Sequence, residues 1–291
     1  MPQQELALPT AWGQLAGTLQ LPDSPAPWPA ALLIAGSGPT DRDGNNPLLG
    51  THIDNLKRLA AALAARGVAS LRYDKRGVGA SVYPGLSEDA LRFEHLVDDA
   101  VALAGCLAHD DRINRIALVG HSEGALIAAL AAHEEQAQAH AVVSIAGAGS
   151  RASALMRRQM EDHLPQDIAG PAFAALAALE SQQRVEDVPD ELFLLFRPTV
   201  QPYLISWFRH DPPAVLADLQ VPVMLVHGSA DVQVGVEHAR WLQAGKPDAR
   251  LEIVAGMDHL LGMGGDTRRG ADVVGGAVAA WLQELDVDVA A

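Results

Sequence analysis

Three residues, met in chain order, have the types needed for nucleophilic acyl transfer: Ser122 in Gly120-His121-Ser122-Glu123-Gly124, Asp231 in His227-Gly228-Ser229-Ala230-Asp231, and His259 in Gly256-Met257-Asp258-His259. A serine hydroxyl attacks a carbonyl only when a base removes its proton, and an imidazole serves as that base when a third group fixes its tautomer. Glycine on both sides of the serine permits a sharp strand-to-helix turn, because any larger residue at 120 or 124 would meet neighbouring backbone. Such a turn lifts the Ser122 hydroxyl above a sheet edge, with the positive end of the following helix beneath it. The five-residue pattern alone also fits a serine that merely caps a helix, so the surrounding elements decide.

Those elements alternate. Short apolar runs ending in glycine, Ala30–Gly36, Ala69–Gly77, Ile116–Gly120 and Ala141–Gly147, read as strands covered on both faces. Between them lie stretches with apolar residues at helical spacing. The alternation stops after Gly149 for about 70 residues of helix-like sequence and resumes with Val221–Gly228, a helix around Glu237–Ala244, Leu251–Gly256 and a terminal helix. Glu5–Pro22 reads as an antiparallel entry hairpin turning at Trp12-Gly13. The expected architecture is α/β, a mostly parallel doubly wound sheet with an N-terminal antiparallel hairpin and an inserted helical cap. Residues 1–149 and 221–291 form the core domain, and residues 150–220 form the cap, or lid. Ser122, Asp231 and His259 then all fall just past strand carboxyl ends.

With IAGSGPTDRDGNN, LRYDKRGVGAS, VGHSEGA, VHGSADVQV and GMDHL in view, the chain resembles the α/β-hydrolase superfamily, in particular bacterial carboxylesterases and serine-aminopeptidase-like hydrolases. The order Ser122, Asp231, His259 is that superfamily's order. The resemblance implies the α/β-hydrolase fold, Ser122 as nucleophile, His259 as general base and then acid, and Asp231 as the carboxylate orienting it. It implies an oxyanion hole made by the Glu123 N–H and a second N–H from the loop after the strand Ala30–Gly36. Family members often carry His-Gly there, whereas this chain has Ala35-Gly36-Ser37-Gly38-Pro39. The Ser37 N–H is the choice, with Gly38 as the alternative. The implied activity is hydrolysis of carboxylic esters of short-chain or small apolar acyl groups through an acyl-enzyme. An aminopeptidase-like amidase or acyl thioesterase on the same triad is the alternative. No metal and no cofactor is required.

Neighbouring residues invite other readings. Asp258 is next to His259, but successive side chains diverge, so Asp231 is preferred as the triad acid. His121 is read as packing beside the elbow. Asp41–Asn45 begins like a calcium loop, but Asn46 occupies the position that needs glycine and His52 the position that needs glutamate. The same segment is expected to pair with Lys75 and Arg76 and hold the oxyanion loop. Gly147-Ala148-Gly149-Ser150-Arg151-Ala152 fits a dinucleotide fingerprint with Asp167 downstream, yet no second strand follows, so a nicotinamide-dependent oxidoreductase is a remote reading. A hydrolase-fold binding protein with a lapsed triad is the other remote reading, and the intact residue types at 122, 231 and 259 argue against it.

Composition narrows the partners. The 291 residues carry 21 Lys and Arg against 36 Asp and Glu, a formal net charge of −15. That charge disfavours nucleic acid and anionic membranes as partners. The single Cys106 forms no intrachain disulfide and is read as core filler, no apolar run reaches the length of a membrane helix, and the first cationic residue is Arg42. A cytoplasmic protein acting on a small acyl substrate is expected, and oligomeric state is not legible. Aromatic residues are scarce at 4%, yet Phe193, Phe196, Tyr203, Trp207 and Phe208 crowd into the cap. They form either the cap's own small core or the wall of an apolar acyl pocket over Ser122.

Overall fold

The strand-forming runs assemble into one sheet in the computed structural model, which describes residues 1–50 and 52–289. The strands are Gln3–Thr10 (β1), Gly13–Gln20 (β2), Trp28–Ile34 (β3), Ala69–Tyr73 (β4), Ile113–His121 (β5), Ala141–Ile145 (β6), Val223–Gly228 (β7) and Arg250–Val254 (β8). Their order across the sheet is β1-β2-β4-β3-β5-β6-β7-β8. β1 and β2 form the expected hairpin, β2 pairs antiparallel with β4, and every pairing beyond β4 is parallel. The strands end before the glycines that close their sequence runs: Gly36, Gly77, Gly147 and Gly256 lie past the ladders, in the turns that follow.

Alternation within β3 shows why both faces are covered. Leu32 and Ile34 join a cluster with Leu71, Leu118 and Leu225, while Ala31 and Leu33 join one on the opposite face with Val119, Val143 and Val226. Helices Asn55–Ala64 (α1) and Thr267–Val289 (α10) cover the second face. Phe93–Ala108 (α2), Glu123–Ala131 (α3) and Glu237–Gly245 (α9) cover the first. Cys106, on α2, is half-buried rather than part of the core.

From β3 the chain passes through α1 to β4 on one side, then returns through α2 to β5 on the other. The carboxyl ends of β3 and β5 therefore border a topological switch point, the place where open α/β sheets form a ligand crevice. Register levels these ends: Ile34 lies opposite Gly120, His121 opposite Ile145, and Gly228 opposite Val254.

Between β6 and β7 lie Ala152–His163 (α4), Gln166–Glu180 (α5), Phe193–Phe196 (α6), Gln201–Trp207 (α7) and Pro212–Ala217 (α8). Met160, Leu176, Leu192, Phe196, Leu204 and Phe208 make a third apolar cluster among these helices, whereas Leu216 of α8 packs with the main core. The glycines of residues 147–152 turn β6 into α4, which is followed by α5. The second strand that a dinucleotide fold needs is absent from that segment. No helix among the described residues is long and apolar enough to cross a membrane.

The LRYDKRGVGAS segment is largely architectural. The Asp74 carboxylate accepts the Arg42 N–H (2.9 Å), an Arg42 guanidinium N–H (2.8 Å) and the Ala80 N–H (2.9 Å). Asp43 pairs with Arg72 at 2.7 Å. The 41–45 loop is thus held by Arg72 and Asp74, not by Lys75 and Arg76 as its charges suggested. Arg76 instead pairs with Asp99 at 2.6 Å, and Lys75 turns to the site. Burial pushes the Asp74 pKa up, but the Arg42 side chain and the Ala80 and Arg42 N–H groups outweigh it and hold the group below the usual carboxylate range. A lowered folded pKa contributes stability above the unfolded value of about 3.9, and that stability is lost as pH falls through the folded value. Asp74→Asn is expected to destabilise the fold by about 1.5–3 kcal/mol at pH 7 in urea unfolding. The deficit should shrink as pH falls below about 4, where the carboxylate of the unfolded wild-type chain begins to protonate while the folded one is still ionised.

Candidate active site

Ser122 occupies the last turn of backbone before α3, at φ 55° and ψ −118°. A positive φ on a non-glycine residue is strained and persists only when its surroundings over-determine it. Here they do. The Ser122 N–H donates to the Ile145 carbonyl at 2.8 Å, and the flanking glycines leave no alternative path. A Cβ on Gly120 would lie 2.0 Å from the Gly124 carbonyl oxygen, and one on Gly124 would lie 2.3 Å from the Ile34 carbonyl oxygen. These contacts are to backbone, which cannot step aside. Gly124→Ala is therefore expected to cost at least the roughly 1–3 kcal/mol of ordinary overpacking, read as a lowered unfolding midpoint or loss of soluble protein; a midpoint equal to wild type would refute the packing account.

The loops after β7 and β8 are stitched together by the Ser229 N–H to Val254 O and Ala230 N–H to Met257 O bonds, each 3.0 Å. They bring Asp231 and His259 to the serine. His259 Nδ1 lies 2.7 Å from Asp231 Oδ2, and His259 Nε2 lies 3.1 Å from Ser122 Oγ. A carboxylate can only accept, so it keeps the proton on Nδ1 and leaves Nε2 to accept from the serine. The Gln233 and Val234 N–H groups, each at 2.9 Å, occupy Asp231 Oδ1. Burial alone would raise the Asp231 pKa. The hydrogen bond and charge of His259, with smaller contributions from the Val234 N–H and His227, reverse that and hold it low, so the carboxylate stays ionised.

Around these three the structure places groups that sequence reasoning assigned otherwise or passed over. His121 does more than pack: its Nε2–H donates to the His259 carbonyl at 2.8 Å. Burial, followed by the neighbouring His259, pushes its pKa down to about 4, so it stays neutral and braces the loop that carries His259. Asp258 accepts the Leu260 and Gly262 N–H groups with Oδ1 and shapes its own turn. His227 was missed; its Nε2 donates to the Val234 carbonyl (2.7 Å) and lies 3.5 Å from Asp231 Oδ2. No local signal marked it, since it closes an apolar strand run just before the turn glycine.

The loop after β3 reaches the elbow. A Cβ on Gly36 would lie 3.2 Å from His121 Nδ1 and 3.3 Å from Ser122 Cβ, so the Gly36-Ser37 peptide runs alongside Ser122. Among the described residues the Ser37 and Glu123 N–H groups have no protein acceptor. Beneath this loop the Lys75 ammonium donates to the Gly36 carbonyl at 2.5 Å and lies 4.0 Å from Glu123 Oε1. That carboxylate oxygen also accepts the Tyr203 hydroxyl at 2.5 Å.

The five cap aromatics divide. Phe196 and Phe208 are buried in the cap's own cluster, while Phe193 is half exposed. Trp207 stacks on Phe93 of α2 with centroids 5.7 Å apart and planes 2° from parallel, and Tyr203 packs on the same ring at 6.0 Å. Of the two readings of this group, the cap's own small core or the wall of an acyl pocket, Phe196 and Phe208 take the first. A helical insertion with no sheet of its own must bury its largest apolar side chains internally. Trp207 and Tyr203 fasten it to α2, and Tyr203 reaches the site through Glu123.

Comparison with known proteins agrees with this fold. A family model described as serine aminopeptidase, S33 matches residues 49–185, which include Ser122 but neither Asp231 nor His259. The esterase EstD of Thermotoga maritima is 29% identical over 254 residues, covering 85% of this chain and 58% of that protein. The chain thus spans less than two thirds of the length of that relative. Among solved structures, Est1E from Butyrivibrio proteoclasticus superposes with a TM-score of 0.66 at 19% identity, covering 96% of this chain and 98% of that one. Proline iminopeptidase from Mycobacterium smegmatis superposes with a TM-score of 0.66 at 17% identity, covering 98% and 100%.

Proposed function

We propose that this chain, an α/β-hydrolase by its fold and by its similarity to the Thermotoga esterase, is a serine esterase cleaving carboxylic esters of short-chain or small apolar acyl groups. One observation carries the reading: the unbroken relay from Asp231 Oδ2 through His259 to Ser122 Oγ, at 2.7 and 3.1 Å, on a strained elbow at the sheet's switch point. Serine, base and orienting acid within hydrogen-bond reach form the constellation that activates a hydroxyl.

In the proposed reaction His259 Nε2 takes the Ser122 proton as Oγ bonds to the ester carbonyl carbon, and the carbonyl electrons collect on oxygen. The Ser37 and Glu123 N–H groups receive that oxyanion. The imidazolium returns the proton to the leaving alkoxide as the C–O bond breaks, leaving an acyl-serine and an alcohol. Water then attacks the acyl carbon, gives its proton to His259, and the same steps in reverse order release the acid and restore Ser122.

An ester is favoured over a peptide because an aminopeptidase must hold its substrate's ammonium with a carboxylate. Glu123, beside the nucleophile, faces Lys75 and Tyr203, and Asp258 serves its own turn. The serine-aminopeptidase family match keeps amide and thioester substrates as the second reading. The inserted residues 150–220 act as a lid in either case. The test is a panel of p-nitrophenyl esters from acetate upward, run beside aminoacyl anilides and acyl thioesters. The highest kcat/KM is expected on the shortest esters; a maximum on an anilide or thioester would overturn the substrate assignment while leaving the triad in place.

A further inference from the structure

We propose that Lys75 is a positioning residue for the oxyanion hole: held by Glu123 and Tyr203, its ammonium fixes the Gly36-Ser37 peptide so that the Ser37 N–H faces the carbonyl attacked by Ser122. The inference rests on the reading of Ser37 as an oxyanion donor.

In a trans peptide the C=O and the following N–H point in opposite directions across one rigid plane. A group that grips the Gly36 carbonyl therefore also aims the Ser37 N–H. Lys75 Nζ grips it at 2.5 Å from beneath the loop, on the side away from solvent. The peptide needs such a grip, since it starts at Gly36, which has no Cβ to restrict ψ, and the chain turns at Gly38 (φ +73°) just beyond Ser37, so little in the local backbone opposes its rotation. A charged donor on the carbonyl also polarises the peptide and strengthens its N–H.

A structural role alone does not account for a lysine here. The side chain is 5% exposed, and taking an ammonium out of water is unfavourable unless a partner repays it, whereas an apolar side chain would fill the same space without penalty. The partner is Glu123, whose carboxylate is 1% exposed and whose backbone N–H is the other proposed donor. Burial lowers the Lys75 pKa and Glu123 opposes that. Glu123 Oε1 accepts from the Tyr203 hydroxyl, whose own pKa burial and Glu123 raise, so it remains a donor. Both sides of the proposed oxyanion hole are thereby tied to one buried chain that ends on α7 of the cap. Lys75 also lends positive charge beside the place where the oxyanion forms, offsetting the carboxylate next to it.

The test begins from Ser122-dependent turnover of p-nitrophenyl acetate, so that failure of the esterase reading is seen separately. In Lys75→Met, kcat is expected to fall about 10²- to 10³-fold, the scale of one lost oxyanion donor, with KM within a few-fold of wild type. The affinity of a trifluoromethyl ketone, which forms the tetrahedral oxyanion, should weaken in parallel. In a Ser122→Cys background, alkylation by iodoacetamide needs the nucleophile and His259 but forms no oxyanion, so Lys75→Met should leave its rate unchanged while slowing acylation by p-nitrophenyl acetate. Wild-type kcat in folded Lys75→Met, or equal loss of alkylation and acylation, would overturn the proposal. Tyr203→Phe adds no atoms and decides the matter if Lys75→Met does not fold: kcat should fall several-fold, and unchanged kcat and ketone affinity would overturn it.

Discussion

Ser122→Ala is expected to lower ester turnover by about 10⁴- to 10⁶-fold with little change in unfolding midpoint. The substitution removes only Oγ, whose protein partner is His259 Nε2 at 3.1 Å. Alanine inherits the same positive φ as serine, so the strain of the elbow and the Ser122 N–H bond to Ile145 are untouched. The loss is therefore chemical and not structural. What survives comes from the backbone donors at Ser37 and Glu123, which can still polarise a carbonyl toward water. Initial rates on p-nitrophenyl acetate give the magnitude, and loss of labelling by a fluorophosphonate probe gives the site. Turnover within tenfold of wild type would remove Ser122 from the mechanism, and an unlabelled wild-type protein would favour a hydrolase-fold binding protein.

Asp231→Asn is expected to lower kcat by about 10⁴-fold, because it inverts the imidazole rather than displacing it. Oδ1 accepts the Gln233 and Val234 N–H groups, a task an amide oxygen performs equally well. The asparagine oxygen keeps that place, and its NH₂ group then faces His259 Nδ1 where Oδ2 stood at 2.7 Å. A donor there forces the ring proton onto Nε2, where it meets Ser122 instead of accepting from it. His227 does not substitute, since its Nε2 proton is committed to the Val234 carbonyl at 2.7 Å. Unchanged circular dichroism with collapsed kcat is the expected pair of observations; activity within tenfold of wild type would show that Asp231 is not the orienting acid.

The alternation of apolar runs with amphipathic stretches, and the positions of Ser122, Asp231 and His259 just beyond three of those runs, could be read from the chain alone. Hydrophobic periodicity and glycine at a tight turn are local properties, governed by residues within a few positions of one another. Strand ends were read two residues long at Ile34 and Val254 because the turn glycines close the apolar runs but lie outside the ladder. Contacts across the fold were another matter. His121 looks like an ordinary polar interruption, and only the meeting of the β5 end with the loop after β8 brings it against the His259 carbonyl; His227 is four residues from Asp231, but the turn that brings the two together carries no signal in the sequence. Lys75 sits in the charged tripeptide Asp74-Lys75-Arg76, whose members look interchangeable. The tertiary structure sends Asp74 to Arg42, Arg76 to Asp99 and Lys75 to Gly36.

The cap shows the division most clearly. Its helical character and its concentration of aromatics were legible, but whether those rings faced the nucleophile or each other was not. That choice depends on which apolar surface lies opposite. Phe93, 100 residues before Phe193 in the chain, supplies the surface that takes Trp207 and Tyr203, and the cap's own helices take Phe196 and Phe208. Local sequence determined the elements and the reactive residue types, because propensity and turn sterics act over short range. Only the folded chain decided which buried charge holds which backbone group, because that depends on partners tens to hundreds of residues apart meeting in a low-dielectric interior.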